Sequence, residues 1–169
     1  MTKRVWKTLK PPDVAVLTDY LDQMPEEQRP LYGFVGIKTS LWSQMGGGTK
    51  PFVVVFMPDR VVFSKRSLGG TKQAWASEHA LGDLTDVSVR QGPAFDSALF
   101  TFTDGYKVRV GNIGHSGGDQ EIRPVTEYMR TGPAAFDWSR LSDYQRTACY
   151  YAFSLLELIP RDLLESHRV

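Results

Sequence analysis

The chain has one cysteine, Cys149, and three histidines, His79, His115 and His167, in 169 residues. A lone thiol forms no internal disulfide, which suits a reducing compartment at least as well as an oxidising one. One cysteine and scattered histidines give no metal-ligand spacing, so neither a metal nor another cofactor is expected. No stretch reaches the ~18 consecutive apolar residues of a membrane-spanning helix. Residues 1–12 carry four cations without the apolar core of a signal peptide. The chain therefore reads as cytoplasmic and not transmembrane. Net charge is nearly missing too. Twenty Lys and Arg against 19 Asp and Glu leave +1, so no chain-wide field steers nucleic acid or an anionic membrane, and no specific nucleic-acid partner is expected. No repeat of 20–50 residues and no low-complexity tract is found.

What is present is an ordinary globular composition, 41% hydrophobic. At this length a single domain buries ~70% of the surface of its unfolded chain and needs no disulfide or metal to hold it. Residues 1–30 read as a basic arm followed by a helix. Lys3, Arg4, Lys7 and Lys10 come with no acid among them, whereas residues 13–30 hold five acids against Arg29. A solvated tail beside an acidic helix face accounts for this, and an arm touching phosphate or anionic lipid is the alternative. The helix runs from Asp13 to Met24: Val14, Leu17, Leu21 and Met24 share a face, Pro12 and Asp13 supply start signals, and Pro25 stops it.

From Leu31 the texture is β. Leu31 to Trp42 alternates loosely, and the run FVVVFM at 52–57 suits a strand buried on both faces. Met57-Pro58-Asp59-Arg60 predicts a type I turn and a tight hairpin into 60–66. Lys72 to Glu78 is a further strand, Val87 and Val89 alternate in the next, and Ala98, Phe100 and Phe102 do so before Asp104-Gly105. That dipeptide predicts a two-residue hairpin with positive φ at both positions, returning through Tyr106, Val108 and Val110. About seven antiparallel strands result, followed by helices. Ile122, Val125 and Met129 mark a short one. Ser142 with Gln145 forms a capping box for a longer one, carrying Tyr144, Ala148, Tyr151, Leu155 and Leu158 and ended by Pro160. The layout predicts an α+β fold: a small barrel or orthogonal sandwich at 31–131 capped by a helix, with residues 132–169 packed on the same domain.

The block from Pro51 to Thr131 resembles a bacterial pleckstrin-homology-like domain. The likeness rests on the apolar hairpin VVVFMPDRVVFSK, on LGDLTDVSV at 81–89 with Leu81, Leu84 and Val87 in a Leu-x-x-Leu-x-x-Val stretch, and on the hairpin FTFTDGYKVRV at 100–110 before a helix. The resemblance implies a binding scaffold rather than an enzyme. Its ligands would be anionic lipid head groups, peptides or partner proteins.

One recurrence offers a site. Gly47-Gly48-Thr49-Lys50 returns as Gly69-Gly70-Thr71-Lys72, with a strand, a hairpin and a returning strand between the copies. Antiparallel pairing brings both loops to one end of the sheet, with Lys65 and Arg66 just before the second. Lys50, Lys65, Arg66 and Lys72 with glycine-freed N–H groups form a candidate anion site, although soluble hairpin connections use the same residues. Gly111 to Gly118 fits neither G-x-G-x-x-G nor the Walker pattern. Catalysis finds less support: no histidine sits in a motif with a nucleophile, Cys149 falls on an apolar helix face, and turn capping explains Asp83 and Asp86. The tryptophans Trp6, Trp42, Trp75 and Trp138 are dispersed, though Trp75 adjoins the basic loop.

Three functions follow. The leading one is a non-catalytic module binding a partner protein or anionic ligand through the basic loops. The second is an assembly protein dimerising through the wide apolar face of the helix at 143–159; burial of that face against its own sheet would sink it. The third, a small hydrolase or transferase, lacks a nameable nucleophile and base.

Overall fold

The computed structural model describes residues 11–37, 51–66, 73–92, 96–113 and 141–158, together with 122, 126 and 139. Helix α1, Pro11–Gln23, opens on two prolines, which cost nothing in a first turn whose N–H groups have no intrahelical partner. Leu17 and Leu21 are buried one turn apart, and Met24 packs beside them. Past Pro25 a 3-10 turn, Glu26–Gln28, folds the chain back so that Arg29 caps the helix. Its guanidinium donates to the carbonyls of Met24, at 3.1 Å, and Asp22, at 2.6 Å.

Seven strands follow: β1 Tyr32–Ile37, β2 Pro51–Phe56, β3 Arg60–Arg66, β4 Gln73–Ala80, β5 Leu84–Arg90, β6 Asp96–Phe102 and β7 Lys107–Ile113. They form one antiparallel sheet in the order β4-β3-β2-β1-β7-β6-β5. Register explains the unbroken apolar run in β2. Phe52, Val54 and Phe56 share a face with Tyr32, Phe34, Val61 and Phe63, while Val53 and Val55 point the other way beside Gly33 and Val35. Both sets are buried. The first lies in an aromatic interior: Phe100 of β6 is 5.3 Å from Phe63, 6.1 Å from Phe56 and 6.3 Å from Phe34 between ring centroids. The Phe63–Phe100 pair meets edge to face at 70°, a geometry worth about 0.5–1.5 kcal/mol beyond burial.

The sheet does not close into the expected barrel. β1 and β7 align at the pair Ile37–Gly111, and β4 and β5 are left as the two edges of the sheet. A 3-10 turn, Leu81–Asp83, carries the chain from one edge strand to the other. The two halves are held face to face by rings instead of by a continuous ladder.

Helix α2, Asp143–Leu155, covers the opposite face of β1 and β2. Its capping box has both arms: Gln145 N–H donates to Ser142 Oγ at 3.2 Å and Ser142 N–H to Gln145 Oε1 at 3.0 Å. Ala148, Cys149, Ala152 and Phe153 are buried. On the neighbouring side Thr18 Oγ1 of α1 donates to the Tyr150 hydroxyl at 2.9 Å. Of the helix face named for the alternative of dimerisation, Ala148, Cys149 and Ala152 are buried within the chain, while Tyr151, Leu155 and Leu156 are half-buried. The helix also stops short of Pro160. Glu157 adopts a left-handed φ of 58°, and Glu157 N–H bonds to Ser154 O and Leu158 N–H to Phe153 O, both at 3.3 Å. This is a Schellman cap, and it turns Leu158 outward, 41% exposed. Of the short helix expected near 122–129, Ile122 and Thr126 are described, both buried, with Thr126 Oγ1 donating to Ile122 O at 2.6 Å; the rest lies outside the described residues.

Candidate functional site

The strand axes give the sheet two ends, and the site residues divide between them. At the loop end β1 finishes, β2 starts, β3 finishes and β4 starts, as the pairs Ile37–Pro51 and Arg66–Gln73 show. Lys65 and Arg66 are the last two residues of β3 and lie at this end. Lys50 and Lys72, like most of the glycine-rich loops, fall outside the described residues.

Lys65 sits in a cross-strand row, Phe52–Lys65–Trp75, on the aromatic face. Phe52 and Trp75 belong to strands two apart, roughly 9.5 Å at ordinary strand spacing, yet their ring centroids are 6.0 Å apart. The rings therefore lean toward each other over β3, and the half-buried Lys65 carries its charge at the margin of an apolar surface. Just beyond, the register steps from Lys65–Trp75 to Arg66–Gln73, which leaves Ala74 as an extra residue on β4. Bulges of this kind re-aim the ends of strands.

The opposite, turn end is where the sequence reading went astray in detail. The 57–60 turn is closed by Met57 N–H donating to Arg60 O at 2.7 Å. At Asp104-Gly105 the loop has three residues, not two. Gly105 N–H donates to Phe102 O at 2.9 Å, Phe102 N–H donates to Tyr106 O at 3.0 Å, and Gly105 has φ +80° while Asp104 keeps an ordinary negative φ. This is a type I turn followed by a left-handed glycine bulge. The Asp104 carboxylate favours it by accepting Tyr106 N–H at 2.8 Å. Asp83 meets this turn through its main chain: its carbonyl accepts both the N–H of Thr103, at 2.9 Å, and its hydroxyl, at 3.0 Å.

Between these turns lies a notch of about 290 Å³ lined by His79, Asp83, Phe102, Thr103 and Asp104. The imidazole of His79 stacks on Phe102 at 4.3 Å and on Tyr106 at 4.8 Å. Its Nε2 lies 3.2 Å from Ser77 Oγ. That is a nucleophile–base distance, but among the described residues no carboxylate bonds to the imidazole to orient it, and Ser77 does not line the notch. Sequence reasoning missed this cluster. Its members come from β4, β6 and two turns, and nothing local in the sequence links them.

Elsewhere, burial pushes the Cys149 thiol well up, and its hydrogen bond to Leu31 O, 3.8 Å from Sγ, keeps it turned inward. His115 and His167 lie outside the described residues. Among the described residues no cluster of His, Cys, Asp and Glu is placed to hold a metal ion, and no helix is long and apolar enough to cross a membrane.

No protein-family model matches the sequence, and no curated protein does. Among solved structures the chain is similar to the pleckstrin homology (PH) domain of USP37, at 14% sequence identity and a TM-score of 0.38, over 60% of this chain and 96% of that one. An overlap this loose says nothing about ligands.

Proposed function

We propose that the chain is a non-catalytic binding module that takes an anionic ligand at the loop end of its sheet. The observation that supports this is the register setting Lys65 and Arg66 beside the starts of β2 and β4. We take Lys50, one residue before Pro51 in the sequence, and Lys72, one residue before Gln73, as the other members of the site, on the strength of the Gly-Gly-Thr-Lys recurrence. Four cations beside glycine-rich backbone suit a phosphate-bearing head group, since the glycines free consecutive N–H groups to point at an anion. The Phe52 and Trp75 rings beneath Lys65 strengthen its field by keeping water from one side.

The test is sedimentation of the full chain with neutral vesicles and with vesicles containing anionic lipid, at low and at physiological salt. A cation near such a surface contributes about 1 kcal/mol. Replacing Lys50, Lys65, Arg66 and Lys72 together by Ala is expected to lower partitioning by about a thousandfold at low salt, and salt alone to weaken the wild type. Binding that ignores salt and the four substitutions, or no binding to either vesicle, overturns the reading.

A further inference from the structure

We propose that the notch at the turn end binds the guanidinium of an arginine side chain presented by a partner segment. This site is separate from the loop end, and either can fail without the other. Its volume of about 290 Å³ stands at the bottom of the ~300–1,000 Å³ range of small-molecule pockets. That suffices for a side-chain head and is too little for a nucleotide. The aromatic part of the lining is His79 stacked on Phe102 at 4.3 Å, and Tyr106 stacks on His79 at 4.8 Å beside it. Tyr106 is 40% exposed, one of two large hydrophobic side chains so open among the described residues. Asp83, Thr103 and Asp104 complete the lining, two of them acids.

The ion pairs seen among the described residues are those of Arg60, with Asp59 at 2.8 Å and Glu78 at 3.1 Å. Among the described residues, no cation pairs with Asp83 or Asp104. Asp104 spends Oδ1 on Tyr106 N–H and takes no bond on Oδ2 from a described residue. An aromatic surface beside carboxylates selects a cation. A planar guanidinium stacks on a ring while its N–H fork reaches a carboxylate, which a compact ammonium cannot do. Lys107, the nearest cation in sequence, follows the alternation of β7 to the face opposite Val108 and Val110 and is exposed.

The experiment is a titration of the isotope-labelled full chain with N-acetylarginine methylamide, followed by amide shifts. The lysine and citrulline analogues serve as the charge-only and shape-only probes. Saturable shifts at Thr103 to Tyr106, with affinity at least about threefold weaker for lysine and none for citrulline, are expected. Asp83→Asn with Asp104→Asn keeps the turn acceptor and is expected to weaken binding about tenfold. Tyr106→Leu leaves both carboxylates and decides the matter if the double variant does not fold; a loss of about threefold or more is expected. Absence of saturable shifts at these amides, equal binding of citrulline or lysine, or unchanged affinity in a folded variant overturns the assignment.

Discussion

Gly33 on β1 and Ala152 on α2 leave no room for a methyl group between them: a Cβ built on Gly33 lies 2.6 Å from the Cβ of Ala152 and 3.2 Å from the carbonyl oxygen of Val54. Neither neighbour is the end of a flexible side chain, so Gly33→Ala must push the helix off the sheet. Overpacking of this kind costs about 1–3 kcal/mol. A urea titration of Gly33→Ala is expected to show a midpoint lowered accordingly, with Ala152→Gly restoring part of it in the same background. An unshifted midpoint means that α2 does not lie this close to β1.

The turn between β6 and β7 separates two chemistries by one substitution. In a two-residue loop with positive φ at both positions, Asp104→Gly would stabilise. In the three-residue loop found here, Asp104 has an ordinary φ and its carboxylate holds Tyr106 N–H. Asp104→Gly then removes a bond and adds unfolded-chain entropy, so it is expected to lower stability by about 1 kcal/mol. Gly105→Ala, at φ +80°, is expected to cost about 1–2 kcal/mol. Thermal melts of both variants check this, and a stabilised Asp104→Gly contradicts the turn described.

Much of this fold was legible because its signals are local. FVVVFM announces a strand covered on both faces, Ala98, Phe100 and Phe102 announce an alternating one, and Ser142 with Gln145 announces a cap; each is found. Closure was not legible. Whether β4 pairs with β5 is a contact between the two edges of a seven-stranded sheet, which no local stretch of sequence encodes. Nor was the end of α2, where the periodicity of Leu155 and Leu158 runs on past a left-handed Glu157 that sequence rules assign to glycine. The candidate sites divide likewise. The recurrence of Gly-Gly-Thr-Lys is visible in one dimension, whereas His79 meets Phe102 and Tyr106 only once the halves of the sheet are folded together.

Glu157 supplies a prediction of its own. A non-glycine residue in the left-handed region crowds its Cβ against the following carbonyl, at a cost of about 1–2 kcal/mol. The Schellman bonds from Glu157 and Leu158 offset that cost without removing it. Glu157→Gly is therefore expected to raise stability by up to about 1 kcal/mol, less than the full strain because glycine also gives the unfolded chain more freedom. Equilibrium unfolding by denaturant reads this directly. A destabilised Glu157→Gly would mean that the Glu side chain contributes more than its backbone costs.

Alkaline pH tests the burial of α2. Burial pushes the Cys149 thiol up, and it also raises the phenols of Tyr150 and Tyr151, which are less deeply buried. The folded chain thus keeps protons that the unfolded chain releases, and stability falls as pH rises. Below about pH 8.5, the value of a free thiol, nothing is lost. Above it, the unfolded state ionises Cys149 while the native state does not, at about 1.4 kcal/mol for each further pH unit. The raised tyrosines add a further loss from about pH 10. Unfolding free energies measured from pH 7 to 10.5 are expected to bend downward near 8.5 in the wild type and near 10 in Cys149→Ala. Ellman's reagent is expected to react with the native thiol only as fast as the chain opens. A native thiol that reacts at the rate of the urea-unfolded chain, or a Cys149→Ala curve that still bends near 8.5, places Cys149 in solvent and moves α2 off the sheet.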